Sequence, residues 1–320
     1  MDRTTSEWYE AFATQEAHGR SPLYERLALL VAGDEELLHL LARVPEPKRQ
    51  PNLLFASARS LGWTSQDPET FRIFVLERSE RVLELLRNRV TQTNEVGRCS
   101  VLLPALARID GPVALVEVGA SAGLCLMLDR IHYDYDGLEV GDAISEVQLR
   151  CHLRGDLRPP LHIPQIVWRR GIDLSPIDAS DTAAVRWLEA CVWADQSDRL
   201  ERLRAALRLA RLDPPSVLRG DLLDATAGVI SDAPQGATLV VMHSATLAYL
   251  IPEQRDRFAR MMESLDGVWV SNEAPGVVPR LEDPVLRDAE RRGAFVLGQD
   301  GRILGLADPH GDWLEWMDKQ

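Results

Sequence analysis

Val116-Glu117-Val118-Gly119-Ala120-Ser121-Ala122-Gly123-Leu124 is the stretch from which the rest of the chain is read. It ends the apolar run VALVEV (113–118), which only Glu117 interrupts, and leads into LCLMLDRI, a helical pattern. At such a strand–turn–helix junction, small residues let the backbone approach a ligand, and the first helical turn offers unpaired N–H groups. Downstream, further short apolar runs follow: IVW (166–168), SVL (216–218), TLVVM (238–242) and VWV (268–270). Between them Leu200, Leu203, Leu207 and Ala210 stripe one helix, and Phe258, Met261, Met262 and Leu265 another, opened by Pro252-Glu253. Runs without polar alternation suit parallel strands covered on both faces, and strand–helix alternation predicts a doubly wound α/β sheet.

The sheet is expected to finish differently. FVLGQDGRILGL (295–306) places Asp300-Gly301 between two apolar runs, which signals an antiparallel hairpin. YDYDG (133–137) and VQLRCHL (147–153) read as a short extra hairpin, an insertion at about 132–165. Upstream, residues 1–110 read as helices. Leu23, Leu27 and Leu30 recur at helical spacing, as do Leu76, Leu83, Leu86 and Val90, and Pro45, Pro47 and Pro51 divide this half. The expected organisation is an N-terminal helical domain, 1–110, acting as a lid or substrate wall, followed by a Rossmann-like domain, 111–320.

Of the 320 residues, 36 are Lys or Arg and 49 Asp or Glu, for a net charge of −13. That sign opposes binding to nucleic-acid phosphates or anionic membranes. The partner expected is a small molecule or a protein, and oligomeric state is not readable. Cys99, Cys125, Cys151 and Cys191 form no C-x-x-C pair and have no His at zinc-ligand spacing, so reduced thiols and no metal site are expected. MDRTTSEWYE carries no signal-peptide pattern and no run is long enough to span a bilayer, so the expected location is cytoplasmic.

Three chemistries use a turn like Gly119–Gly123. A G-x-G-x-x-G dinucleotide fingerprint fails at Ser121. A nucleophile elbow, G-x-S-x-G, matches GASAG, and Ser121, Asp221 and His310 have the chain order of a hydrolase triad, but only helices precede the turn, with no oxyanion loop. An S-adenosylmethionine (SAM) loop fits Glu117, Gly119, Ala120 and Gly123, with Ser121 replacing the middle glycine. Ligands of an open parallel sheet bind beyond the strands' carboxyl ends. There Asp173 is a candidate for ribose hydroxyls, with Asp134 or Asp136 in that role if YDYDG is the second strand. Asp221 is a candidate for an adenine amino group. Both aspartates also read as helix caps or loop residues. His243 is the candidate general base, with Glu273 second, or a satisfied core histidine and a turn residue respectively.

VEVGASAG, GIDLSP, LRGD, VVMHSATLAYL and WVSNEAPG, in that order, resemble class I SAM-dependent methyltransferases over roughly 111–308. With RQPNLLFA (49–56) and TQTNEVGR (91–98), nearly the whole chain resembles a bacterial protein family grouped with that fold. The resemblance implies a methyltransferase with SAM as cofactor, in which the element before the first strand closes over the cofactor and Arg98 pairs with the methionine carboxylate. Thr93 or Asn94 capping a helix is the other reading of that segment. A SAM- or nucleoside-binding protein without chemistry is the alternative from a different class.

Overall fold

The computed structural model describes residues 4–319 except 280 and 282; the first three residues of the N-terminal stretch read above lie outside it. The chain divides into a helical unit, Met1–Thr93 with Asp181–Glu201, and a sheet unit, Asn94–Ser180 with Arg202–Gln320.

In the helical unit, the helices Thr5–Ala11, Pro22–Gly33, Glu35–Leu41 and Pro68–Glu77 begin at Thr4, Ser21, Asp34 and Asp67. Each of those side chains accepts from a backbone N–H of the first turn, which pairs donors the helix itself leaves unsatisfied. Pro22, Pro51 and Pro68 occupy first-turn positions, where a missing N–H costs nothing. The core is aromatic. Phe55 is fully buried and meets the rings of Tyr9, Phe12, Tyr24 and Phe71, while Tyr24 stacks on Trp193 at 5.0 Å. Residues 181–201 belong to this unit because Trp187 joins the core, Arg59 donates to the carbonyls of Glu189 and Ala190, and Asp195 accepts from the Ser21 hydroxyl. The stripe Leu76–Val90 is not one helix. The chain breaks at Arg78, whose φ/ψ of −112°/24° is non-helical and whose guanidinium lies over Phe74, and a second helix, Ser79–Asn88, buries Leu83 and Leu86 but leaves Val90 exposed.

Among the described residues the sheet unit holds twelve strands: β1 Pro112–Val118, β2 His132–Tyr135, β3 Leu138–Gly141, β4 Gln148–Arg150, β5 His152–Arg154, β6 Gln165–Asp173, β7 Val217–Arg219, β8 Thr238–Ser244, β9 Val268–Glu273, β10 Phe295–Gln299, β11 Arg302–Ala307 and β12 Trp313–Trp316. Nine form one mixed sheet in the order β5-β12-β11-β10-β9-β8-β1-β6-β7. From β7 to β10, numbered by their succession in the chain, this is the 3-2-1-4-5-6 order of a Rossmann-like fold, with strands one to five parallel and the sixth antiparallel. The order reverses between β1 and β8, and a ligand crevice is expected at such a switch point. Asp300 and Gly301, with φ of 51° and 76°, make the tight β10–β11 turn.

Two expectations change here. VQLRCHL does not complete a hairpin: β2 pairs antiparallel with β3 and parallel with β4, while β5 crosses to the large sheet and pairs parallel with β12. LCLMLDRI does not form an α-helix either. Residues Cys125–Arg130 make a short 3-10 stretch broken at Met127. The carbonyls that an α-helix would use are taken by side chains: Arg169 donates to Leu126 and Tyr133 to Leu128, while Asp129 receives a two-pronged bond from the same Arg169.

Residues paired across strands point to the same face, and neighbours along a strand to opposite faces. Glu117, Met242, Ser244 and Asn272 therefore share one face of the sheet, against which the helix Cys99–Leu106 packs. Val116, Val118, Val241, His243, Trp269 and Glu273 share the other. Much of that face enters the apolar core with Phe258 and Met262 of the helix Pro252–Glu263.

Candidate functional site

The turn after β1 is held entirely by its own protein. Gly119 and Ala120 donate to the Ile172 carbonyl, Ser121 N to Asp173 Oδ2 at 2.8 Å, Ala122 N to Asn94 Oδ1 at 3.0 Å, and Gly123 N to the Ala120 carbonyl. Asn94 also donates from Nδ2 to Ser121 Oγ at 2.7 Å. With Gly119, Ser121 and Gly123 at φ of 75°, 51° and 69°, the turn runs through left-handed conformations, which the glycines adopt at no steric cost. The glycines also allow close packing. A Cβ on Gly119 would stand 2.3 Å from Thr246 Oγ1, and one on Gly123 2.7 Å from Pro215. The expected free N–H groups at a helix N-terminus are thus replaced by internally bonded amides, because no α-helix follows and Asn94 and Asp173 take the remaining donors.

A buried polar atom without a partner lies two residues before Gly119. Glu117 is buried, 6% exposed, and its Oε2 has no hydrogen-bond partner. Burial pushes its carboxyl well above the ordinary 4.5, Cys125 and Asp173 raise it further, and Arg98 lowers it. A raised acid destabilises the fold where the unfolded chain ionises first. Stability is thus complete below the unfolded value and is lost as pH climbs toward the folded one. Glu117→Gln is expected to melt higher than the natural protein above about pH 5 and to match it near pH 4. Thermal melts across that range check this; a variant that melts lower at neutral pH contradicts it.

Arg98 is buried beside Glu117, but its Nε donates to the Pro309 carbonyl and its Nη1 to that of Ser244. Those two donors tie loops together. Asp173 ends β6, the neighbour of β1, so Asp134 and Asp136 of the small sheet do not take its place. Its carboxylate accepts from Ser121 N and Ser175 N, on the rim beside the turn. Asp221 caps the helix Leu222–Ser231 by accepting from Leu223 N.

His243 and Glu273 come together, but inside the core. His243 Nδ1 lies 2.7 Å from Glu273 Oε1, and Trp269 Nε1 donates to His243 Nε2 at 2.9 Å. An indole N–H only donates, so Nε2 is the acceptor and Nδ1 carries the proton. Both nitrogens are committed and the ring is fully buried, on the face opposite Glu117. This geometry suits a structural histidine, since a general base needs an open nitrogen at the substrate. On the Glu117 face, Asn272 donates to Ser244 Oγ, and its buried Oδ1 is unpartnered.

The elbow residues are engaged separately. Ser121 Oγ accepts from Asn94, Asp221 caps a helix, and His310 Nδ1 lies 3.6 Å from Glu95 Oε2. Cys99, Cys125, Cys151 and Cys191 are free thiols, and burial pushes the Cys151 thiol up to about 12. Among the described residues no group of three or more His, Cys, Asp or Glu side chains is placed to hold a metal ion, and no helix is long and apolar enough to cross a membrane. Asn94 sits in the polar segment already singled out, though its partner was not readable. Thr246, lodged against Gly119, carried no sequence signal because its role depends on how β8 is placed beside β1. A search of curated proteins finds no match. The chain belongs to the family described as "Uncharacterized protein conserved in bacteria (DUF2332)", which it matches over residues 6–316.

Proposed function

We propose that the sheet unit binds SAM at the carboxyl rim between β1 and β8, and that the protein is a methyltransferase acting on a small molecule or a protein. The observation that carries this reading is the buried, unpartnered Oε2 of Glu117 at the end of the first strand, beside the switch point. An orphan carboxyl oxygen costs free energy until a donor reaches it, and an ammonium-bearing ligand supplies that donor. Asp173, half-buried on the adjoining rim, has acceptor capacity beyond its two backbone bonds and suits ribose hydroxyls. The amides of the turn are satisfied, so it is carboxylates, rather than N–H groups, that fit the ligand here.

SAM supplies a methyl group on a sulfonium. Its transfer needs an in-line nucleophile, so the chain's part is to orient and desolvate. Such a transfer needs no base at His243, whose two nitrogens are hydrogen-bonded within the core. The same commitment of His243 favours a second reading, a protein that holds SAM or another nucleoside without chemistry. Loss of the methyl group from SAM in the presence of candidate acceptors separates the two.

A ligand at 100 times its dissociation constant stabilises a fold by about 2.7 kcal/mol. Thermal shift with SAM, S-adenosylhomocysteine, NAD and adenosine is expected to favour the first two, with the SAM shift lost in Glu117→Gln. Equal shifts for all four, or none, would overturn the proposal. Ser121→Ala is expected to keep the shift, whereas an elbow mechanism requires that hydroxyl.

A further inference from the structure

The side chains that a catalytic reading pairs, His243 and Glu273, do something else in this fold. Glu273 Oε1 accepts three hydrogen bonds: from His243 Nδ1 at 2.7 Å, Thr246 N at 2.8 Å and Leu247 N at 3.0 Å. Trp269 fixes the imidazole from behind, so its tautomer is set and the proton on Nδ1 points at the carboxylate. The loop these bonds hold starts with Ala245, a non-glycine residue at φ 52°, whose N–H is bound to the Asn272 carbonyl. Left-handed backbone is disfavoured for any residue with a Cβ, so this loop keeps its shape only because its surroundings impose it. Asp300 and Asp136, which share the feature, sit in hairpin turns where it is ordinary; Ala245 and Ser121 sit in the two loops flanking the switch point. The product of the arrangement is the position of Thr246. Its hydroxyl reaches the Val118 carbonyl and fills the space a Gly119 side chain would need.

We infer that Trp269, His243 and Glu273 form a buried brace that holds the loop Ala245–Leu247 in its strained shape and so sets the β8 wall of the ligand crevice. They are positioning residues. Trp269 orders His243, His243 orders Glu273, and Glu273 gathers the two amides that place Thr246 against the glycine turn. The brace itself is independent of the ligand; its service to binding rests on the crevice between β1 and β8 being the ligand site.

The test uses the full chain and amide hydrogen exchange. In Glu273→Gln, which keeps the volume but weakens the acceptor, residues 244–250 are expected to exchange about tenfold faster or more, while β1 keeps its protection. Trp269→Phe, which removes only the indole donor and its outer ring, is expected to loosen the same segment to a smaller degree. It gives a reading even where the glutamine variant fails to fold. Ala245→Gly is expected to relieve the strain, so the effect of Glu273→Gln on exchange shrinks in that background. Unchanged exchange at 244–250, a uniform loss of protection across the sheet, or full additivity with Ala245→Gly would each overturn the brace. A thermal shift with SAM, run in parallel, is expected to fall in both brace variants. Should SAM fail to shift the natural protein, the ligand reading falls, and the exchange data still decide the brace.

Discussion

Gly119→Ala is expected to destabilise the sheet unit by roughly 2–5 kcal/mol, from a left-handed backbone cost of about 1–2 kcal/mol and an overpacking cost of about 1–3 kcal/mol. Gly119 holds φ at 75°, and the added methyl would meet Thr246 at 2.3 Å from Oγ1 and 2.5 Å from Cγ2. Thr246 cannot retreat freely, because its N–H is bound to Glu273 and its hydroxyl to the Val118 carbonyl. For a domain of this size each kcal/mol lowers the melting temperature by roughly 2–4 °C. Removing the obstacle separates the two costs. In Gly119→Ala with Thr246→Gly the steric part should vanish and the backbone part persist, so the double variant is expected to recover part of the loss. A double variant as unstable as the sum of the singles would mean that Thr246 is not what the glycine accommodates.

Phe55→Ala is expected to have the larger effect on the helical unit, about 3–5 kcal/mol. Phe55 is completely buried at the centre of the aromatic core, with edge-on contacts to Tyr9, Tyr24 and Phe71 at 6.2, 5.0 and 5.5 Å between ring centres. Phe12 and Tyr24 are also packed on Trp193, and Phe71 on Trp63, so these rings collapse poorly into the void, which is the condition for a cost at the high end. Urea unfolding followed by far-ultraviolet circular dichroism measures it. Phe55→Leu, which keeps much of the volume, is expected to lose less than half as much. Equal losses in the two variants would show that ring packing is not the source.

The sequence made the large sheet legible because parallel strands buried on both faces leave continuous apolar runs. VALVEV, TLVVM and VWV lie within β1, β8 and β9, and Asp300-Gly301 makes its turn. It misled where local pattern and tertiary contact disagree. LCLMLDRI has helical composition, yet Arg169 and Tyr133, distant or downstream in the chain, take its carbonyls. The tail 181–201 sits in sequence between two strands, and only its contacts with Ser21, Arg59 and the aromatic core reveal that it belongs with the helices. At the rim, the placement of Glu117, Asp173 and His243 at strand ends was readable. Which face each side chain takes was not, and it matters: alternation along β8 and β9 sends His243 and Glu273 away from Glu117. A carboxylate or imidazole at a strand's end therefore reads as a site candidate only after register is known.

Calorimetric titration with SAM, in buffers of different ionisation enthalpy, most directly tests the central claim that the Glu117 carboxyl receives a cationic ligand. Burial holds that carboxyl well above its ordinary range. A neighbouring ammonium would favour its ionised form, so binding is expected to release a proton over the carboxyl's raised titration range and to tighten as pH rises through that range, and Glu117→Gln is expected to abolish both. Absence of binding at millimolar SAM, or binding with no proton release and no dependence on Glu117, would contradict it.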